Sequence, residues 1–114
     1  MPKTETEKRS KTIRDLNDSF RRSFVGGKMM LTVGVNELPG DTRVLITRKV
    51  ATFDAFSADN DPNGEHDFGA FDVAGEKFFW KIDYYDKALE FGSENPADPS
   101  ITTRVLTIML ADEY

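Results

Sequence analysis

The chain of 114 residues contains no cysteine and only one histidine, His66. A disulfide scaffold, a cysteine zinc site and a thiol nucleophile are excluded together, and so is a histidine-rich metal centre. Long apolar runs are missing as well. The longest near the end, residues 105–111, falls far short of the roughly 20 residues that a membrane span needs, and charges run through the first 22 residues. No G-x-S-x-G element, phosphate-binding loop, internal repeat or low-complexity tract occurs. These absences lead to the expectation of a protein of a reducing compartment, the cytoplasm, with no membrane partner and no ready-made catalytic motif.

What is present suits one globular domain, with 39% hydrophobic, 31% charged and 11% aromatic residues. A chain of this length buries somewhat over about 60% of its unfolded surface at a radius of gyration near about 13 Å, enough for one core without staples. The net charge of -5 is unevenly spread: residues 1–50 hold 11 Lys and Arg against 6 Asp and Glu, and residues 51–114 hold 4 against 14. Such asymmetry acts on association rather than on fold, and it points to an electrostatic partner.

Residues 1–10 have no apolar periodicity and read as a disordered tail. Ile13, Leu16, Phe20 and Phe24 then recur at spacings of three and four, the stripe of an amphipathic helix whose other sides carry Arg14, Asp18, Arg21 and Arg22. Gly26 and Gly27 stop it. Residues 28–35 alternate as a strand. Residues 41–56 are ambiguous, because Ile46, Val50 and Phe53 fall at helical spacing behind a candidate cap at Asp41 while the β-branched residues favour extended chain. The helical reading is preferred.

Residues 57–65 form a loop with an Asn63-Gly64 turn, and residues 67–73 and 77–86 form a hairpin with Phe78, Trp80, Ile82 and Tyr84 facing the core. Residues 104–111 read as a buried strand, although periodicity alone does not separate this run from a helix. The expected fold is a single α+β domain over residues 1–114: a sheet of about four strands, largely antiparallel, with the amphipathic N-terminal helix and a second helix.

Three groups of residues could carry a function. Asp59, Asp61, Asn63, Glu65 and Asp67 open like a calcium loop, D-x-D-x-N-G, offering oxygens to Ca²⁺ or Mg²⁺, yet Ala70 stands where the closing glutamate belongs. The competing reading is an Asx-rich turn that satisfies its own backbone. Glu65, His66 and Asp67 resemble an acid-base group, but in a strand the carboxylates point away from the imidazole, so no residue is assigned a catalytic role and no cofactor is expected. Lys81, Asp83 and Tyr85 make an outward row in which tyrosine is a favoured interface anchor, and Arg104 is a candidate ion-pair partner for Asp83 or Asp86.

The leading expectation is a non-enzymatic acidic module that binds a protein partner with a basic surface through Asp54, Asp59, Asp61, Glu65, Asp67, Asp72, Asp83 and Tyr85. A Ca²⁺ or Mg²⁺ site on residues 59–67, structural or hydrolytic, is the alternative. A third reading is a nucleic-acid binder built on Lys8, Arg9, Lys11, Arg14, Arg21 and Arg22, which the acidic half opposes by repelling phosphates.

Three long motifs also stand out: Asn60-Asp61-Pro62-x-Gly64-Glu65-His66-Asp67-Phe68-Gly69, Trp80-Lys81-Ile82-Asp83-Tyr84-Tyr85-Asp86, and Thr103-Arg104-Val105-Leu106-Thr107-Ile108-Met109-Leu110-Ala111-x-Glu113-Tyr114. Together they resemble a family of small bacterial proteins catalogued as a domain of unknown function, over roughly residues 12 to 114. The resemblance implies a helix within residues 41–56 and carries over no catalytic residue. It also implies a setting on plasmids or phage-derived regions, where a small acidic protein serves as an accessory factor or as an inhibitor of a host defence or nucleic-acid-handling system.

Overall fold

In the computed structural model, which describes residues 4–114, helix α1 (Glu5–Ser23) forms around the expected stripe but begins earlier than the sequence suggests. Thr4 caps it by accepting the Glu7 N–H at 3.1 Å, and Glu5 and Glu7 complement the positive end of the helix dipole. Residues 5–10, expected as a tail, are therefore the first turns of α1; residues 1–3 of that tail lie outside the described residues. The helix ends at Phe24, whose φ of 57° and N–H to the Phe20 carbonyl make the left-handed cap expected of the glycines. Gly26 and Gly27 instead turn the chain into the sheet. At Gly27 a Cβ would stand 2.5 Å from the Arg104 carbonyl oxygen, so only glycine fits.

Strand β1 (Gly27–Leu31) is shorter than the expected 28–35. The chain breaks at Thr32 into the single turn α2 (Val33–Asn36), and Val33 and Val35, although they continue the alternation, lie on a helix. The cause is a carboxylate from the far end of the fold. Glu113 accepts the Thr32 hydroxyl at 2.6 Å and the Gly34 N–H at 2.9 Å, satisfying donors that a helix start leaves open. Helix α3 (Gly40–Ala51) confirms the helical reading of the ambiguous segment but stops before Phe53, with Asp41 in its first turn rather than at its cap.

Strands β2 (Phe68–Val73), β3 (Glu76–Tyr85) and β4 (Thr103–Leu110) follow, and a 3₁₀ turn spans Ala111–Glu113. The sheet order is β1-β4-β3-β2. β2 and β3 pair antiparallel, as do β3 and β4, while β1 and β4 are parallel. The α+β expectation with a largely antiparallel four-stranded sheet holds.

Register divides the side chains into two faces. Phe78, Trp80 and Ile82 of β3 and Leu106 and Ile108 of β4 lie on the inner face, where they pack with Phe20 of α1, Val35 of α2, and Ile46 and Val50 of α3. Gly69 of β2 sits opposite Trp80, and a side chain there would run into the indole and the Phe53 ring. The outer face carries Lys28 and Met30, then Val105, Thr107 and Met109, then Phe79, Lys81, Asp83 and Tyr85, then Phe68 and Asp72. All three helices lie on the inner side, and the molecule is a slab of 46 × 34 × 23 Å. No helix among the described residues is long and apolar enough to cross a membrane.

Candidate functional site

Two features could carry a function: a polar seam between α1 and the 57–67 loop, and the outer face of the sheet. The seam begins on α1, where Asn17 and Arg21 are as buried as the apolar stripe beside them. Arg21 Nη1 donates to the carbonyls of Val50 and Phe53, each at 2.8 Å, at the end of α3. Its Nη2 donates to Asp18 Oδ1 at 3.0 Å, and the guanidinium lies over the rings of Trp80 and Phe56 at 5.1 and 5.4 Å. Burial pulls the Arg21 guanidinium down from its ordinary range and Asp18 opposes that pull. Arg21 Nε and Trp80 Nε1 are buried without a hydrogen-bond partner among the described residues.

His66 completes this half of the seam. It adopts a left-handed φ of 55° ahead of β2, which starts at Phe68, so the strand geometry that would separate the imidazole from its carboxylates does not hold here. The ring stacks on Phe56 with centroids 3.8 Å apart and planes 3° from parallel. Nδ1 lies 2.9 Å from Asp18 Oδ1, and since a carboxylate only accepts, Nδ1 carries the proton. Nε2 faces Asp61 Oδ2 at 3.7 Å. With a carboxylate at each nitrogen and an aromatic ring on one face, the imidazole clamps the loop to α1.

The other half of the seam ties the sheet to the same helix. Asn17 Nδ2 donates to the Glu65 carbonyl at 3.0 Å and to the Tyr84 hydroxyl at 2.8 Å. The hydroxyl in turn donates to Glu65 Oε1 at 2.9 Å. Burial, then the negative charges of Glu65 and Asp67, push the Tyr84 phenol well above its ordinary range. Arg104 Nε donates to Asn17 Oδ1 at 2.7 Å and Nη2 to the Pro96 carbonyl at 2.6 Å. Arg104 is thus on the inner face, away from Asp83, and the expected pairing is corrected: Asp83 pairs with Lys81 across 2.9 Å on the outer face.

The acidic residues singled out in the sequence therefore separate. Asp61 is buried, its Oδ1 accepting the N–H groups of Glu65 and His66 at 3.1 Å each, as an Asx turn would. Glu65 and Asp67 are half-buried, and burial, with Glu65 second, raises the Asp67 carboxyl. Asp54, Asp59, Asn63 and Asp72 are exposed. Among the described residues no group of three His, Cys, Asp or Glu side chains stands placed to hold a metal ion.

The cations of α1 are similarly occupied. Lys8 pairs with Glu5 at 3.6 Å, Lys11 with Asp15 at 2.7 Å, and Arg9 and Arg14 donate to Asn95 and to the Gly64 carbonyl. Arg21 is inside the fold, and Arg22 reaches Asp18 at 4.0 Å.

Sequence reasoning missed the inward set of Asn17, Asp18 and Arg21. The signal was present: Asn17 and Arg21 follow Ile13 at steps of four, inside the apolar stripe and not beside it.

The outer face of the sheet is different in kind. Tyr85 borders two hollows, one of about 400 Å³ shared with Lys81, Asp83, Thr107 and Tyr114, and one of about 270 Å³ shared with Lys28, Met30 and Leu89. At the far end Tyr114 meets Phe79 and Phe68 edge-on, with centroids 5.5 and 6.4 Å away.

Comparison with known proteins adds one finding. The family model described as "Protein of unknown function (DUF3768)" matches residues 31–113, which takes in α2, α3 and the strands from β2 onward. No curated protein and no solved structure matches the chain.

Proposed function

The chain belongs to the DUF3768 family, and on that premise we propose that it is a non-enzymatic binding module that docks a protein partner with a basic surface on the outer face of its sheet. The observation that supports the reading is the one-sided cover of the sheet: all three helices pack on the inner face, and the other leaves Met30 exposed and Phe68, Phe79, Tyr85 and Val105 half-buried, with Met109 buried among them. A tyrosine between two hollows suits an anchor that a partner grips from both sides. The second half of the chain, which supplies three of the four strands, is strongly acidic and favours encounter with a cationic partner, while on the face itself Lys28, Lys77 and Lys81 balance Asp72 and Asp83. In the mobile-element setting that the motif resemblance implies, such a partner is the basic groove of a nucleic-acid-handling protein, and occupying it inhibits.

The test is a partner captured by a photo-crosslinking side chain at Tyr85 and then titrated with the uncrosslinked protein. Binding should weaken markedly from about 50 to about 500 mM salt. It should fall at least tenfold with Thr107→Arg and with the pair Asp72→Lys and Asp83→Lys, while Arg48→Glu on exposed α3 leaves it intact. Affinity indifferent to both salt and the outer-face variants would overturn the proposal.

A further inference from the structure

The start of strand β1 lies at the same end of the sheet as the start of β4, because the two run parallel, and the end of antiparallel β3 arrives there too. The last turn of α1 closes over this end, leaving a cavity of about 540 Å³. Its lining is chemically one-sided. Lys28, Lys87 and Arg104 face it, and none of its lining residues is acidic, in a chain with 20 Asp and Glu against 15 Lys and Arg.

Two of these cations are unspent, and the third is tied to neutral oxygens. None of them forms an ion pair with an acidic side chain among the described residues, whereas the cations along α1 are mostly engaged. Arg104 is 3% exposed, and its two hydrogen bonds use Nε and Nη2 on neutral oxygens, leaving Nη1 without a partner among the described residues. Burial pulls its guanidinium down from the ordinary range, against the opposing pull of Tyr84 and the Glu65 carboxylate. The hydroxyl-bearing Ser19 and Thr103 stand on the same wall, and Phe20 adds an apolar surface.

We infer that this cavity is a binding site for the phosphate group of a small phosphomonoester, held by Lys28, Lys87 and Arg104. A buried guanidinium supplies directional donors, two mobile ammonium groups supply charge at the mouth, and hydroxyls complete the shell. The apolar wall receives the organic part of the ligand. Lys28 also borders the smaller hollow beside Tyr85, so Lys87 and Arg104 are what separate this site from the partner proposed for the outer face, which needs Asp72, Asp83 and Thr107.

The test uses the whole protein, labelled with ¹⁵N and titrated with inorganic phosphate and, separately, with adenosine monophosphate. Saturable shifts should appear at Gly26, Gly27, Lys28 and Thr103, with adenosine monophosphate the tighter of the two. Lys28→Glu with Lys87→Glu, both at exposed positions, should weaken binding at least tenfold while keeping the melting temperature, and Lys81→Glu on the outer face should change nothing. Shifts that fail to saturate, that scatter over every lysine, or that survive the double variant would overturn the assignment.

Discussion

Arg21 shows how much one side chain can organise. It is 1% exposed, yet it bonds to the end of α3, to Asp18 and to two aromatic faces. Removing it leaves Asp18 half-paired and takes a donor from the carbonyls of Val50 and Phe53. Arg21→Ala should therefore cost about 3–5 kcal/mol in urea unfolding. Arg22→Ala, one position along and exposed, should cost no more than about 0.5 kcal/mol. Equal costs would mean that the seam contributes nothing to stability. A lysine would not serve as a substitute, since one ammonium cannot reach the α3 carbonyls and Asp18 in the fork geometry the guanidinium uses. Charge alone does not reveal this in the sequence: Arg21 and Arg22 read identically there, and only the step of four from Asn17 separates the inward one. His66 was legible as a residue to watch, but its left-handed backbone was not, because the preference of the following residues for a strand extends past the point where the turn ends.

Among the elements, α1 and β3 were legible because their periodicities run over many residues and agree with their burial: Phe78, Trp80 and Ile82 alternate inward as read, whereas β4 rested on its β-branched apolar run, which periodicity did not separate from a helix. The break between β1 and α2 was not, because its cause is tertiary. Glu113 lies on the 3₁₀ turn, where Oε1 also accepts the Leu110 N–H at 2.9 Å, and from there it ends one strand and starts the next helix. These three hydrogen bonds, to Thr32 first, lower the Glu113 carboxyl below its ordinary value of 4.5. A carboxyl lowered in the folded state adds stability that is present above 4.5 and is lost as pH falls through the folded value. Thermal melts of Glu113→Gln should consequently lie below those of the parent at pH 7, and the gap should close towards about pH 3. A gap that persists in acid would show that shape, and not charge, makes the clasp.

At the scale of the molecule, the radius of gyration of 14.6 Å exceeds the value near about 13 Å expected of a compact chain this long, as a two-layer slab requires. One layer of helices on one side leaves the sheet half-dressed, and composition gave no hint of that, since the half-buried Phe79 and Val105 count as core residues in any tally. Both proposed surfaces depend on β4, which pairs with β1 on one side and β3 on the other. Leu106→Ala, at a fully buried position in that strand, should cost about 2–5 kcal/mol and speed hydrogen exchange in β1 and β3 together. Exchange that quickens in β3 alone would mean that β1 is held by something other than the sheet. The central place of β4 also bears on how the chain is made. β1 is complete at Leu31, but the strand it pairs with starts at Thr103. At about 5–20 residues per second, a ribosome holds β1 without its neighbour for roughly 4 to 14 seconds. Until then the methionines of β1 lie bare on an unpaired edge, so the core closes only once β4 has been made and a holding chaperone has time to act.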